Sequence, residues 1–466
     1  MRCVALGCLA ATVLGFVGAT ALRGSDRPRL SPLLAQVAPE RQWQAGRAWT
    51  PEAAAPQGLP TGNAALLSVA REFPGVGSGA AQGDPPDPVV GVGAGYVVQM
   101  VNDTVRVWTN AGVVRASYLL ATFMATASRE VSDPRVVFDP ASRRWFASAV
   151  DVARASVQLA VSAGPDPTGP WTVYSHATGS CPDQPSLGVG ADLVVVGYGA
   201  FAAPCLGGSA YLGGGLVVYD KRLILAGTPS QPVDWGPDLD LSPVTAVALT
   251  GRPARAVALL LPSPGGGPTY LVVLSMRGAG VVLARLPIDG LAPPPPGEQP
   301  DTIQTIETSD VRIQSAVMVG RTLWTAGNVG CVPPGDTRLR SCLRVVAVSG
   351  SRVALETDVG LAGRDIFYPA LARIAKGDLA VLYGSSSRTS VPALAAFAVA
   401  GSRRGRSITI TSGTSPAVSD RFGDYFGAAT DAGGHVWVTG ETGGIPLTAD
   451  ASSNWETSVA ELTAGG

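Results

Sequence analysis

Short apolar runs separated by turn-forming residues recur along most of this chain of 466 residues. The clearest example begins with Asp133 and Pro134, where apolar runs at residues 136–138 and 145–150 flank a turn at 139–143 that contains Asp, Pro and Ser. Two further runs follow, at residues 157–162 and 171–175, with a Gly- and Pro-rich turn between them. This pattern predicts one up-and-down antiparallel sheet of four strands. Both apolar faces of such a sheet need neighbouring sheets to cover them.

The pattern recurs, with drift, in seven units of about 54 residues, which is the size of a four-stranded propeller blade with its loops. The last unit shows only three strands, so the ring closes without a free edge only if another segment supplies the fourth. Residues 63–72 fit a short helix or a strand, and we expect a strand at 66–69 that completes the last unit. The sequence therefore predicts an all-β fold, a seven-bladed β-propeller of four-stranded antiparallel blades that is closed by an N-terminal strand. The units begin near residues 89, 132, 183, 244, 310, 368 and 425.

The amino-acid composition agrees with the predicted β-propeller. The chain has 58 Gly, 38 Pro and 46% hydrophobic residues, as expected for many short strands joined by turns.

Six or eight blades remain alternatives because the fourth unit is the weakest. A pair of β-sandwiches or a parallel β-helix would not predict units of this length that each open with an Asp/Pro signal. The net charge of -1, with scattered basic residues, predicts neither nucleic acid nor an anionic membrane surface as a partner.

The first residues have the pattern of an export signal. Arg2 is followed by an uncharged run at residues 3–22 that contains a small-x-small cleavage pattern at 19–21. We predict a signal peptide at 1–21, a disordered linker at 22–60 and the β-propeller domain at 61–466, in a secreted, periplasmic or cell-surface protein. An uncleaved membrane anchor is the alternative. Only Lys221 and Lys376 are lysines, and this bias toward Arg, Ala, Gly and Pro is typical of GC-rich coding and favours a bacterial source.

Four cysteines lie beyond the predicted signal, and by number alone they allow three pairings. The blade assignment favours Cys181 with Cys205, because both fall on the same rim of one sheet, and Cys331 with Cys342, because they flank a single loop. Such pairs form in an oxidising compartment. A zinc site is the alternative, but the chain has no CxxC spacing and only two histidines, His176 and His435. We therefore predict no metal and no cofactor.

Several segments resemble the repeats of secreted bacterial β-propeller proteins of the sialidase-like kind. They are DPRVVFDPASRRWFAS, SAGPDPTGPWTVY, FYPALARIAKGDLAVLYGSSS and DRFGDYFGAATDAGGHVWVTGE, in a region that extends from about residue 84 to the C terminus. DPTGPWT carries the Asp, Gly, Thr and Trp of the neuraminidase Asp-box in a different order and spacing. The resemblance implies a propeller fold and leaves the activity open, because many such proteins have no assigned activity.

The residues that open the innermost strands of a propeller crowd one mouth of the central channel. This predicts a ring of carboxylates with arginines close by, able to bind a polyhydroxylated sugar or an acid. The alternative is structural, with each Asp capping the turn into its strand and each arginine acting as a counter-charge. The predicted ligand-binding residues are Asp87, Asp133, Asp183, Asp310, Asp365, Asp424, Arg135, Arg312, Arg364 and Arg421.

Hydrolysis is a narrower hypothesis. A sialidase uses a tyrosine nucleophile helped by a carboxylate beside an arginine cluster. The candidates are Tyr368 or Tyr425 with Glu441 or Asp424, and Arg312 or Arg421. We favour non-catalytic binding of a glycan or an extracellular protein at the channel mouth, with a sialidase-like glycoside hydrolase as the alternative.

Overall fold

The computed structural model describes residues 58–465 except 63, 82, 129, 206–209, 252, 261–266, 278–279, 376 and 446–451. The predicted signal peptide and all but the last three residues of the predicted linker lie outside the described residues. The described part of the chain is almost entirely β-structure, with two short helices, α1 (Leu120–Phe123) and α2 (Lys221–Leu225), and one 3-10 turn at Val152–Arg154. No helix in the described ranges is long and apolar enough to cross a membrane.

Seven antiparallel sheets follow one another along the chain and form a ring, which confirms the predicted seven-bladed β-propeller. The innermost strand of each sheet packs against those of its two neighbours, and the last sheet packs against the first. The N-terminal strand is β1 (Leu66–Pro74). Blade 1 then comprises β2 (Val89–Gly93), β3 (Tyr96–Val101), β4 (Thr104–Thr109) and β5 (Val114–Leu119), and blade 2 comprises β6 (Val131–Asp139), β7 (Arg144–Asp151), β8 (Ser156–Ser162) and β9 (Trp171–Ala177).

The next four blades repeat this order from the channel outward. Blade 6 is larger, because both β25 and β26 pair with β24. Blade 3 comprises β10 (Cys181–Val189), β11 (Leu193–Phe201), β12 (Tyr211–Asp220) and β13 (Val233–Asp238), and blade 4 comprises β14 (Thr245–Ala246), β15 (Ala254–Leu260), β16 (Thr269–Arg277) and β17 (Gly280–Ile288). Blade 5 comprises β18 (Ile313–Val319), β19 (Thr322–Cys331), β20 (Arg340–Ser349) and β21 (Arg352–Val359), and blade 6 comprises β22 (Asp365–Arg373), β23 (Leu379–Ser387), β24 (Ser390–Ala400), β25 (Arg403–Arg404) and β26 (Ile408–Ser412).

The seventh blade closes the ring with strands from both ends of the described chain. It contains β27 (Gly427–Thr430), β28 (Val436–Gly443) and β29 (Trp455–Gly465), and β1 pairs with β29 as its outermost strand. This confirms the predicted strand at 66–69. Leu67 of β1 is 2% exposed and packs in the core between blades 6 and 7.

Burial follows position within a blade. Every residue of β8 is buried, because β8 lies inside its sheet with a neighbouring blade on each face, whereas β9 at the outer edge alternates between exposed and half-buried residues. Apolar clusters fill the spaces between adjacent blades, as around Trp145, which is fully buried. The two predicted disulfides are confirmed, Cys181 with Cys205 and Cys331 with Cys342.

Candidate functional site

Every innermost strand begins on the same face of the ring, and we call the end of the central channel on this face the mouth. Four innermost segments enter the mouth with a residue of left-handed backbone followed by proline: Asp87-Pro88, Asp133-Pro134, Gln184-Pro185 and Tyr368-Pro369. Ser242-Pro243 of blade 4 has the same order of residues without a positive φ, whereas the φ of the residue before these four prolines lies between 47° and 56°. Such a backbone is strained for residues other than glycine, and its repetition marks a position where the fold fixes side chains for a purpose.

In three of the blades this dipeptide lies inside a β-bulge. The register of the innermost strand shifts between Ser132 and Arg135 in blade 2, and equivalent shifts occur in blades 3 and 6. A bulge adds a residue to one strand and redirects the side chains beside it. In blade 7, Asp424 also has a positive φ of 44°.

Three aspartates form a row across the mouth, with Asp133 in the middle. The carboxylates of Asp87 and Asp183 both lie within hydrogen-bonding reach of Asp133. Asn102 fixes this arrangement: its Nδ2 donates to Asp87 Oδ2 at 2.9 Å, and its Oδ1 accepts from the backbone N–H of Asp133 at 2.8 Å. The backbone N–H of Gln184 donates to Asp133 Oδ2 at 3.0 Å.

Burial and repulsion from neighbouring carboxylates raise the pKa values of Asp87, Asp183 and Asp424. Burial, followed by the charges of Asp424 and Asp133, raises the pKa of Asp87 well above its ordinary value. Burial and Asp133 raise the pKa of Asp183 to about 7, although Arg312 acts in the opposite direction. Burial also raises the pKa of Asp424 to about 6, against the effect of Arg421. The charge of the mouth therefore changes between mildly acidic and neutral pH.

Two arginines supply positive charge on the blade 5 and blade 7 sides. Arg312 forms a two-pronged pair with Asp310, with its Nε 2.7 Å from Oδ1 and its Nη2 2.5 Å from Oδ2. Arg421 is half exposed and donates from Nη2 to Asp424 Oδ2 at 2.7 Å. Burial alone would lower the pKa of Arg312, but Asp310 and Asp183 raise it, so its guanidinium stays charged.

Arg135 and Tyr425 lie close to these acids. The guanidinium of Arg135 is 3.3 Å from the centre of the Tyr425 ring, a cation–π contact, and its Nε donates to the Pro185 carbonyl at 2.6 Å. A cavity of about 20 Å³ adjoins them, with Arg312, Gln314 and Asp424 also in its wall. This is room for about one water molecule or one hydroxyl group.

Three buried polar atoms in the wall of this cavity have no hydrogen-bond partner among the described residues. They are the acceptor Gln314 Oε1, the donor Arg312 Nη1 and the hydroxyl of Tyr425. Tyr425 is 3% exposed. Buried polar groups are nearly always bonded in folded proteins, so this concentration indicates a place built for water or a ligand group that both donates and accepts.

Asp365 and Arg364 do not join this group. Both oxygens of Asp365 accept backbone N–H bonds, from Ser341 at 3.0 Å and from Glu298 at 3.1 Å, so the structural alternative describes this residue. Arg364 donates to Ser390 Oγ at 3.0 Å. In blade 6 the left-handed position before proline belongs to Tyr368, three residues after Asp365, and the ligand-binding role of Asp365 and Arg364 stays a prediction.

The proposed nucleophiles and their helper acid are buried. Tyr368 donates from its hydroxyl to the Glu307 carbonyl at 2.9 Å, and Glu441 Oε2 accepts from the backbone N–H of Gly423 at 2.6 Å. Burial raises the pKa of both tyrosines, Tyr368 and Tyr425, and of Glu441 well above their ordinary values. A catalytic role for these residues stays a prediction.

Below the mouth the channel widens into a cavity of about 500 Å³ that extends to the opposite face. Its wall consists of the innermost strands, whose unpaired edges present backbone N–H and C=O groups that need water or a ligand. Among the described residues that line it, only Arg135, Arg373 and Asp431 are charged. Charged and unpartnered groups therefore converge at the mouth rather than along the channel.

Sequence reasoning missed Asn102, Gln184, Gln314 and Glu307. Alignment of the units on aspartate hid Gln184 as the residue at the left-handed position of blade 3. Alignment on the residue before proline would have placed Gln184, like Tyr368, at the mouth. Gln314 and Glu307 lie in segments without this dipeptide, and no sequence signal marks them.

No protein-family model matches this chain. No curated protein sequence matches it either. Among solved structures, a protein of unknown function from Dyadobacter fermentans DSM 18053 aligns with a TM-score of 0.44 and 12% identity over 86% of this chain and 99% of that one. Trypanosoma rangeli sialidase in complex with the inhibitor DANA aligns with a TM-score of 0.42 and 10% identity over 84% of this chain and 60% of that one. Hadza microbial sialidase Hz136 aligns with a TM-score of 0.39 and 10% identity over 78% and 73% of the two chains. Similarity at this level shows neither a shared substrate nor a shared activity.

Proposed function

We propose that this protein is a secreted, non-catalytic β-propeller that binds a glycan at the mouth. The observation that carries the proposal is the set of buried, unpartnered donors and acceptors beside the 20 Å³ cavity. A sugar hydroxyl both donates and accepts, so one hydroxyl entering this cavity can bond to Tyr425, Gln314 and Arg312. The rest of the sugar then lies on the mouth face, beside the half-exposed Arg421 and Glu307.

Secretion is supported by the cysteine chemistry. Cys181, Cys205, Cys331 and Cys342 all form disulfides, which persist in extracellular or periplasmic proteins and are rare in the cytosol. Under this proposal the ligand is an extracellular or cell-surface glycan. An extracellular protein as the partner would appear as binding without any response on a glycan array.

The test compares a buried tyrosine at the mouth with a buried tyrosine elsewhere. Tyr425 and Tyr219 are 3% and 1% exposed, and neither hydroxyl has a described partner, but Tyr219 lies in the core between blades 2 and 3. A glycan array identifies ligands of the wild type, and titration calorimetry then measures their affinity. Tyr425→Phe should weaken binding by about 2- to 10-fold, the value of one hydrogen bond, and Tyr219→Phe should leave it unchanged. No glycan ligand, or equal effects of the two substitutions, would overturn the proposal.

The alternative, a sialidase-like glycoside hydrolase, draws on Asp183 and Asp424. A buried carboxyl group whose pKa lies near neutrality is suited to general acid catalysis. We expect no release of the leaving group from a panel of aryl glycosides that includes sialosides. Release that Asp183→Asn abolishes would replace the binding proposal with the enzymatic one.

A further inference from the structure

Three side chains that commonly bind metals lie together in blade 7, on the face opposite the mouth. Asp431 and His435 belong to the turn between β27 and β28, and Glu461 lies on the adjacent strand β29. One ligand atom of each lies within 4.8 Å of those of the other two. No other group of three such residues meets this condition in the described parts of the chain.

Two of the three distances between the ligand atoms lie near those of a metal site. His435 Nδ1 is 2.7 Å from Glu461 Oε1, a hydrogen bond, and 3.7 Å from Asp431 Oδ2. In a tetrahedral site with metal–ligand bonds of about 2.0–2.2 Å, ligand atoms are roughly 3.3–3.6 Å apart. Coordination therefore requires His435 and Glu461 to separate, and His435 and Asp431 to approach, by under about 1 Å in each pair.

Neighbouring groups hold the Asp431 carboxylate in place. Asp431 Oδ1 accepts from the backbone N–H of His435 at 2.9 Å, and Asp431 Oδ2 is 3.3 Å from the indole Nε1 of Trp437. Such supporting bonds orient ligands at metal sites. His435 is 45% exposed, which gives an ion access from solvent, while the carboxylates of Asp431 and Glu461 are mostly buried.

We propose that Asp431, His435 and Glu461 form a binding site for a divalent transition-metal ion, best matched by Zn²⁺. An imidazole nitrogen with two carboxylate oxygens is a ligand set that zinc accepts, and a water molecule completes four-coordination on the exposed side. Without metal, Nδ1–H donates to Glu461. With metal, the Nδ1 lone pair binds the ion and the ring proton resides on Nε2. The ion joins the turn to β29 inside the blade that closes the ring.

Arg71 opposes the cation. Its Nε is 3.6 Å from Glu461 Oε2, and β1 brings it opposite Glu461 in the sheet register. A metal ion must compete with this guanidinium for Glu461. Replacement of Arg71 by Gln removes a like charge and should tighten zinc binding, a result that a merely structural His–Glu hydrogen bond does not predict.

The test is zinc titration of the full chain, with Cys3 and Cys8 changed to Ser so that no thiol competes. We expect one equivalent of Zn²⁺ to bind. His435→Gln should weaken binding at least tenfold, as expected for loss of a ligand, and His176→Gln serves as the matched control. His176 is the only other histidine, and its described partner is one carboxylate, Asp234, at 2.6 Å.

A second measurement does not depend on the variants folding. With two histidines in the chain, ¹⁵N NMR of the imidazole rings resolves both, and zinc should change the Nδ1 signal of His435 while that of His176 stays in place. The absence of binding at about 0.1 mM zinc would overturn the proposal. So would equal losses in the two histidine variants, or weaker binding in Arg71→Gln.

Discussion

Replacement of Asp183 by Asn tests whether an ionised carboxylate at this position destabilises the folded protein. The pKa of Asp183 is raised from 3.8 to about 7 in the folded protein, first by burial and then by the Asp133 carboxylate. Between these pH values the folded state keeps a proton that the unfolded state has lost. The unfolded state therefore binds fewer protons, and the free energy of unfolding falls as pH rises from about 4 to about 7.

The size of this effect follows from the pKa. A rise of about 3 in pKa corresponds to about 4 kcal/mol, at about 1.36 kcal/mol per pKa unit. Because Asp183 is electrostatically coupled to Asp133 and Asp424, removal of the Asp183 carboxyl group should relieve only part of this free energy, about 2–4 kcal/mol. We expect the free energy of unfolding of Asp183→Asn, minus that of the wild type, to grow by this amount between pH 4 and pH 8. A pH-independent cost of the substitution cancels from this comparison.

Urea unfolding followed by tryptophan fluorescence at several pH values measures this difference. Asp166→Asn is the control, because Asp166 lies on an exposed turn where bonds from the hydroxyl and backbone N–H of Thr168 lower its pKa. Its substitution should give a dependence of opposite sign, confined to acidic pH. A difference for Asp183→Asn that stays flat, or that shrinks as pH rises, would refute the assignment of a buried, repelled carboxyl group.

Two further predictions concern the strand that closes the ring and the disulfide of blade 5. Leu67→Ala should lower the free energy of unfolding by about 2–5 kcal/mol by leaving a cavity, whereas Leu66→Ala at a 58% exposed position should change it by under about 0.5 kcal/mol. Equal effects in urea unfolding would contradict the closure by β1. Conversion of both Cys331 and Cys342 to Ser should cost about 3 kcal/mol, because their disulfide spans 11 residues, and an unchanged urea midpoint would argue against this.

The fold could be predicted because its determinants are local. Each strand has its own apolar run, each turn its Gly, Pro or Asp, and a three-stranded last unit implies a donor strand such as β1. The disulfides followed from the blade assignment, since it fixed which cysteines share a rim. The pairing of β26 with β24 follows the predicted fourth strand of the sixth unit. The extra pairing of β25 with β24 could not be predicted, because it depends on how residues 401–404 fold back on a strand that already has a partner.

The composition of the mouth was only partly predictable, because it depends on register. Asp365 lies near the start of an innermost strand, as Asp133 does, yet the left-handed position of blade 6 belongs to Tyr368, three residues later. Side-chain identity indicates which chemistry is available, whereas the bulge decides which residue faces the channel. The pairing of Arg312 with Asp310 agrees with the structural alternative, in which each arginine acts as a counter-charge.

The mouth contains several features that lower the stability of the folded protein. The positive φ of Asp87, Asp133, Gln184, Tyr368 and Asp424 is strained at each position by about 1 kcal/mol or more, and glycine there would relieve it. Buried acids with raised pKa values and unpartnered polar atoms add to this cost. Folded proteins retain such features where they serve binding or chemistry, because stability alone favours their removal. The clustering of strain, proton-holding acids and unpartnered donors at one end of the channel therefore argues for a ligand there, independently of what that ligand is.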